Sequence, residues 1–231
     1  MPKFVLDAHR LIGPVPFDDL PQDPRPDMDR LGIHQACVTH TLGLYSDVRA
    51  GNEALLTLTD PRLRPVPVLL PEPFEPVPRW DVPMVRLCPA RHRFDLTGPT
   101  ALRWLGAVGA TGVTVAIELD ETSPGELLGL AGRLPSLRVL LLNPGYRRLR
   151  AVGELMAEMP NLWLEIGTVN TQRGVEWLAG HVGAERLVFG TGAPVMDDCG
   201  PRFLLDHLEL PEADIDLIAS GGSLLDQGGT R

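Results

Sequence analysis

The sequence predicts a single α/β domain, a compact (β/α)8 barrel of the TIM type over residues 1–231 with a trimmed third βα unit. Three observations predict it. Eight short apolar runs alternate with segments of helical periodicity along the chain. Two of the runs, Val113-Thr114-Val115-Ala116-Ile117 and Val139-Leu140-Leu141-Leu142, are apolar almost throughout, as strands buried on both faces of a parallel sheet must be. The chain has 231 residues of which 44% are hydrophobic, enough to bury the core of one such barrel.

Taken in order, the apolar runs cover residues 4–8, 35–39, 65–70, 84–88, 112–117, 138–142, 161–166 and 186–189. Residues 14–26, rich in Pro and Asp, read as a long loop over the barrel mouth. Pro71, Pro73, Pro76, Pro78 and Pro83 preclude a normal crossover helix after the third strand, because each removes a backbone donor and fixes φ. The later connections are helical. Residues 99–108, 123–134, 147–159 and 171–182 carry apolar side chains at three- and four-residue spacing. Ser123-Pro124-Gly125-Glu126 supplies an N-cap, a proline at the first helical position and the glutamate of a capping box. Such units are right-handed; five or six would leave an open doubly wound sheet, and eight close a barrel. Residues 224–231 are expected to fray.

Composition excludes several function classes. A formal charge of −9 and a pI near 5.1 argue against binding nucleic acid or an anionic membrane, which needs clustered cations. Lys3, the sole lysine, lies at the start of the first strand, away from the end where barrels do chemistry, so a Schiff-base mechanism is excluded. Cys37, Cys88 and Cys199 are odd in number and lack CxxC spacing; they read as free buried thiols in a reducing compartment. With no signal-like segment and no long apolar run, the expected location is the cytoplasm. The chain has no GxSxG elbow, phosphate-binding loop or dinucleotide fingerprint.

In a βα barrel, function gathers at the C-terminal tips of the strands. The polar residues there are His9, His40, Arg86, Glu118, Asn143 and the Thr191-Gly192 turn. Strand alternation puts His9 and Leu11 on one face. Glu118 and His9 form the candidate catalytic pair, since partial burial raises a glutamate's pKa and histidine titrates near neutrality. Arg86 can hold a substrate carboxylate through two parallel hydrogen bonds or pair with Glu118 across the mouth. His40 and Asn143 complete the candidate substrate-binding set. The plainer readings are a core-capping His9, a loop histidine for His40, and turn chemistry for Asn143 ahead of Pro144. The doublet Asp197-Asp198 reads as a solvated loop or a helix cap ahead of Pro201.

The opening Val5-Leu6-Asp7-Ala8-His9-Arg10-Leu11-Ile12-Gly13 and the closing Arg186-Leu187-Val188-Phe189-Gly190-Thr191-Gly192-Ala193-Pro194 resemble the first and last strands of the amidohydrolase superfamily. The likeness is to its amidohydrolase-related branch of small decarboxylases and lactonases. Asp29 to Val38, Asp60 to Val66, Met159 to Glu165 and Val182 to Gly190 extend it over nearly the whole chain. The family phrase is Asp-Ala-His-x-His-x-Gly at the start and Phe-Gly-Ser-Asp-x-Pro at the end; here the second histidine is Leu11 and the aspartate is Gly192. The resemblance implies a metal held by two histidines of strand one, one each from strands five and six, and an aspartate of strand eight. Only His9 matches, with Glu118 and Asn143 at the strand-five and strand-six positions. No metal is therefore expected, the alternative being zinc or another divalent cation on a rebuilt set from His9, Glu118, Asp120, Asp197 and Asp198.

Two functions follow from the resemblance. One is a hydrolase or lyase acting on a small carboxylated or amide substrate without the family's metal. The other is a catalytically inactive protein of this fold that binds a small ligand or a partner protein. A polar pocket holding His9, Arg86 and Glu118 in mutual reach favours the first; a mouth plugged by Leu11 and the 14–26 loop favours the second. The expected partner is a small molecule, and the size and acidic surface permit a homodimer.

Overall fold

The computed structural model describes residues 2–225. Eight strands run through it: β1 (Leu6–Ile12), β2 (Gln35–His40), β3 (Leu63–Pro65), β4 (Met84–Leu87), β5 (Thr114–Glu118), β6 (Val139–Leu142), β7 (Leu162–Glu165) and β8 (Leu187–Val188). Every ladder is parallel, in the orders β1-β2-β3 and β4-β5-β6-β7-β8. Backbone hydrogen bonds join the two arcs at both seams. At one seam Leu69 N–H donates to the Arg86 carbonyl and Arg86 N–H to that of Pro67; at the other, Ala8 N–H donates to Phe189 and Leu11 N–H to Ala193. The strands thus follow one another in sequence order around a ring, the topology of a TIM barrel.

The helices wrap the outside. They are α1 (Arg25–Leu31), α2 (Thr41–Tyr45), α3 (Val48–Leu56), α4 (Pro89–His92), α5 (Pro99–Gly109), α6 (Pro124–Arg133), α7 (Leu149–Glu158), α8 (Gly174–Val182), α9 (Cys199–Asp206), α10 (Glu212–Ser220) and α11 (Gly222–Leu225). Ser123 caps α6 in a complete capping box with Glu126, as its sequence requires. Among the described residues no helix is long and apolar enough to cross a membrane.

Several boundaries differ from the sequence reading. β1 runs on past Ala8 to Ile12. The regular part of the third strand is Leu63–Pro65, because Pro65 and Pro67 lack the N–H that would continue the ladder. Residues 71–83 contain no helix. The predicted frayed segment begins inside the last helix, which runs to Leu225, with Leu224 buried in the barrel interior; residues 226–231 lie outside the described residues.

Alternation along each strand sorts the core into layers. Val85, Val115, Ile117, Val139 and Leu141 face the helices in the main core. Cys37, Val66, Met84, Ala116, Leu140 and Trp163 fill the barrel interior. A third cluster, Leu11, Leu44, Val68 and Cys88, sits above them at the C-terminal end of β1 to β4.

Candidate functional site

The period of two that points Met84, Ala116 and Trp163 inward does the same for Arg86, Glu118 and Glu165, one step nearer the mouth. β1 needs a further device. Leu6 and Asp7 pair with Gln35 and Ala36, but Arg10 and Leu11 pair with Val38 and Thr39, so β1 carries one extra residue, a bulge. The bulge shifts the strand's parity. Leu11 shares the inward face of Thr39, and Arg10 turns outward beside Val38.

His9 is 3% exposed, and its Nδ1–H donates to Glu165 Oε2 at 3.3 Å. The same carboxylate, fully buried, accepts the Asn143 N–H at 2.9 Å and, through Oε1, the Gly167 N–H at 2.8 Å. Three donors on one carboxylate satisfy its burial and fix the tautomer and orientation of the imidazole. Glycine is needed where β8 passes, since a Cβ at Gly190 would lie 2.5 Å from Glu165 Cγ. Sequence reading missed Glu165, although it ends Leu162-Trp163-Leu164-Glu165 at a strand tip and the tip rule points to it.

Arg86 forms an ion pair with Glu118. Burial by itself would raise the Glu118 carboxyl, but the Arg86 guanidinium, His9, Arg91 and the Asn143 amide together hold it below its usual range. This corrects the expectation of a raised Glu118: it is a carboxylate at neutral pH, suited to pairing and unsuited to donating a proton. The expected Glu118–His9 pair is replaced by two others, Glu118 with Arg86 and His9 with Glu165.

His40 and Asn143 have backbone roles. His40 is the N-cap of α2, its Nδ1 accepting the Leu42 N–H. Burial pushes its imidazole below the ordinary value. Asn143 adopts a φ of 47°, the left-handed region that asparagine tolerates, and this aims its N–H at Glu165. Its Oδ1 is buried without a partner among the described residues.

The space on the barrel axis is small. A cavity of about 10 Å³ lies between Ala8, His9, Thr39, Arg86, Ala116 and Leu142, room for about one water. Above it Leu11 packs with Leu44, Val68 and Cys88, joined by Tyr45 and Val195. The Thr41 hydroxyl donates to the Pro14 carbonyl, and Phe17 lies edge-on to Tyr45, so the start of the 14–26 loop leans on this plug. Gly192 has φ +71°, and a Cβ there would lie 2.9 Å from Met196 Cγ and 3.3 Å from His9 Cε1.

A second charged network, also missed from sequence, faces outward from the bulge. Asp7 accepts the Thr191 hydroxyl at 2.7 Å and its N–H at 3.0 Å, and pairs with Arg10 at 3.3 Å. Burial raises the Asp7 carboxyl even against Arg10, Thr191 and His9. Arg10 continues to Asp198 at 3.2 Å, which Arg30 also holds. Asp197 accepts the N–H groups of Cys199 and Gly200 at the start of α9. Asp197, Asp198 and Cys199 bring metal-ligand atoms within 4.8 Å of one another, but two guanidiniums already neutralise Asp198. Cys37 and Cys88 are free and buried as expected, whereas Cys199 is exposed, because it opens a surface helix.

Comparison with known proteins places this geometry in context. A family model described as Amidohydrolase matches residues 11–221. A search of curated proteins finds no match. Among solved structures, an uncharacterized TIM-barrel protein from Bordetella bronchiseptica aligns with a TM-score of 0.73 at 15% identity, covering 98% of this chain and 99% of that one. A 5-carboxyvanillate decarboxylase from Sphingomonas paucimobilis aligns at 0.71 and 12% identity, covering 94% and 97%. An amidohydrolase from Burkholderia multivorans, solved with bound zinc, aligns at 0.69 and 13%, covering 94% and 96%. At these identities the likeness is one of fold.

Proposed function

The chain belongs to the amidohydrolase family, and from that premise we propose that it is a ligand-binding member whose barrel centre no longer turns over substrate. One observation carries the reading: the axis holds about 10 Å³, closed from above by Leu11, Leu44, Val68 and Cys88. A small carboxylated substrate needs a pocket many times larger, on the order of 300 Å³.

The residues present do not suit the family's metal. Leu11 and Gly192 offer no ligand atom, and Asn143 offers only an amide. Glu118 is already neutralised by Arg86, whose fixed positive charge opposes a second cation in the same space. The acidic side chain expected at 192 would be built on a strained backbone against Met196 and His9. His9, a Glu165 carboxylate already holding three donors and a Glu118 paired with Arg86 fall short of the three free ligands a catalytic zinc keeps. The buried free thiols Cys37 and Cys88 are consistent with a reducing compartment.

The test is elemental analysis of tag-free protein grown with zinc, manganese and iron, beside turnover assays with hydroxybenzoates, lactones and amides. The expected outcome is sub-stoichiometric metal and no turnover above buffer. One equivalent of metal, or turnover that follows it, overturns the proposal.

The His9–Glu165 pair favours a second reading, a metal-independent hydrolase or lyase on a small carboxylated or amide substrate. A carboxylate-oriented imidazole is the standard arrangement of a general base. Turnover that survives EDTA and disappears in Glu165→Gln would establish it in place of the first.

A further inference from the structure

The trimmed third unit leaves a groove. Where a barrel seats the helix between its third and fourth strands, residues 71–83 run as a proline-bearing strap, and a cavity of about 770 Å³ opens between it and the helices α2 to α5. That volume lies in the range of small-molecule sites, about 300–1,000 Å³. Leu44, Val48, Leu56, Val68, Leu70 and Trp80 give it an apolar wall. Leu44 and Val68 belong also to the plug around Leu11, so one apolar partition closes the barrel axis and faces this groove. Asn52 fixes the partition: its amide donates to the Val68 carbonyl and accepts the Val68 N–H, both at 2.8 Å.

The charges around the groove do not balance. Arg91 pairs with Glu121 at 3.2 Å and lies 4.7 Å over the Tyr45 ring, so its charge and that ring face are both engaged. Arg49 pairs with Glu53 at 2.9 Å. Burial holds the His92 imidazole below its ordinary value, with Arg91 assisting and Glu121 and the Gly43 and Leu44 backbone opposing, so it adds no charge at neutral pH. Two lining carboxylates are left over, Asp47 at the start of α3 and Glu72 on the strap. Among the described residues neither pairs with a cation, since Arg49 and Arg91 are taken by Glu53 and Glu121. Asp47 accepts the Ala50 N–H at 3.0 Å as the N-cap of α3, a bond that leaves its negative charge in place. Arg103 reaches the strap, but it donates to the backbone carbonyls of Glu72 and Pro73, both at 3.1 Å. Arg79 lines the cavity on the other side of the strap. The groove therefore offers an apolar wall with unmatched negative charge on α3 and on the strap, the complement of an apolar cation.

We propose that the groove between α3 and the 71–83 strap binds a small organic ammonium ion, its aliphatic or aromatic body against the Leu44–Val68 partition and its charged head drawn to Asp47 and Glu72. The proposal rests on the ligand-binding reading above and gives that reading a place away from the barrel axis.

Three probes with one body and different heads test it: 3-phenylpropylamine, protonated at neutral pH, 3-phenylpropan-1-ol and 3-phenylpropanoate. Each is titrated into the ¹⁵N-labelled full-length chain. The amine is expected to shift the backbone signals of α3 and the strap saturably, together with the Trp80 indole N–H. The chain has four tryptophans, and Trp80→Phe assigns that signal by its loss. Trp163, whose Nε1–H is bound to Ser223 at 3.1 Å inside the barrel, and Trp177 on α8 should stay fixed. The amine should bind about tenfold more tightly than the alcohol, the worth of two exposed ion pairs, and the carboxylate more weakly than either. Asp47→Asn keeps an N-cap for α3 and Glu72→Gln alters an exposed side chain, so both variants should fold. Each should weaken the amine about threefold, and the double variant should bring it to the affinity of the alcohol, as should salt at about 1 M. Absence of a saturable shift in α3 and the strap, binding of the alcohol or the carboxylate as tight as that of the amine, or an undiminished affinity in the double variant overturns the proposal. Binding that instead perturbs His9 and Arg86 keeps the ligand-binding reading and removes this site. Groove binding together with turnover at the barrel centre does the reverse.

Discussion

Leu11 shows how one side chain converts a mouth into a core. It lies two residues beyond His9 on the inward face, and its partners Leu44, Val68 and Cys88 leave it 4% exposed. Leu11→Ala should therefore behave as a core truncation and lower stability by about 2–5 kcal/mol, measurable as a shift of the urea midpoint at constant m. A change under about 0.5 kcal/mol, typical of a surface site, would show that the plug is not packed. Glu165→Gln tests the buried carboxylate differently, because the amide must turn an NH₂ toward the Gly167 or the Asn143 donor. It should cost about 1.5–3 kcal/mol by the same measurement, and an unchanged midpoint would mean those three hydrogen bonds are not made. Thiol reactivity follows burial. Cys37 is pushed up to about 12 and Cys88 to about 11 by desolvation, while Cys199 stands exposed beside Arg30. Ellman's reagent at neutral pH should label one thiol quickly and the other two only on unfolding; three fast thiols would contradict the core around Cys37 and Cys88.

At the scale of elements, local signals decided some features and contacts between distant segments decided others. α6 was legible residue by residue, and Ser123→Ala should cost about 1 kcal/mol in thermal or urea unfolding through loss of the cap. A neutral result would mean the box does not hold in solution. The apolar runs of β5 and β6 and the helix-breaking prolines of residues 71–83 were equally readable, because burial on both faces and missing N–H groups are properties of the residues themselves. The bulge in β1 was not. It arises from competition between the β2 ladder and the bonds to Phe189 and Ala193, which no local pattern encodes. The site divides the same way. His9, Arg86 and Glu118 could be placed by the strand-tip rule, as could Glu165 had it been applied to β7. Which carboxylate takes which cation depended on distances, and with them went the direction of the Glu118 shift. Burial alone argues for a raised carboxyl, and only the Arg86 partner reverses the sign.

Over the whole molecule, the ring of strands is uniform but its surroundings are not. The arc carrying β2 to β4 has short helices, no crossover helix after β3, and two histidines, His40 and His92, that burial holds neutral. Both imidazoles are pushed below the ordinary 6.5, His40 by desolvation and His92 by desolvation with Arg91, against the pull of Glu121 and of the Gly43 and Leu44 backbone. In the unfolded chain each returns to about 6.5. Below that pH the unfolded chain binds more protons than the folded one, so stability rises with pH through this window. The contribution is complete above about pH 6.5 and is lost as pH falls toward the depressed folded values. Urea midpoints measured from pH 8 to pH 5 should decline on the acid side of this point, before carboxylates such as Glu118 and Asp198, held low by Arg86, Arg30 and Arg10, begin to titrate. His40→Asn separates the causes, since asparagine can still cap α2 but takes up no proton. It should flatten part of the acid slope with little loss of stability at pH 8, and His92→Asn should flatten the remainder. Asp7, raised by burial, contributes with the opposite sign as pH falls, so the variants and not the wild-type slope decide: profiles of His40→Asn and His92→Asn that run parallel to wild type from pH 8 to pH 5 would show that neither imidazole is desolvated in the folded protein.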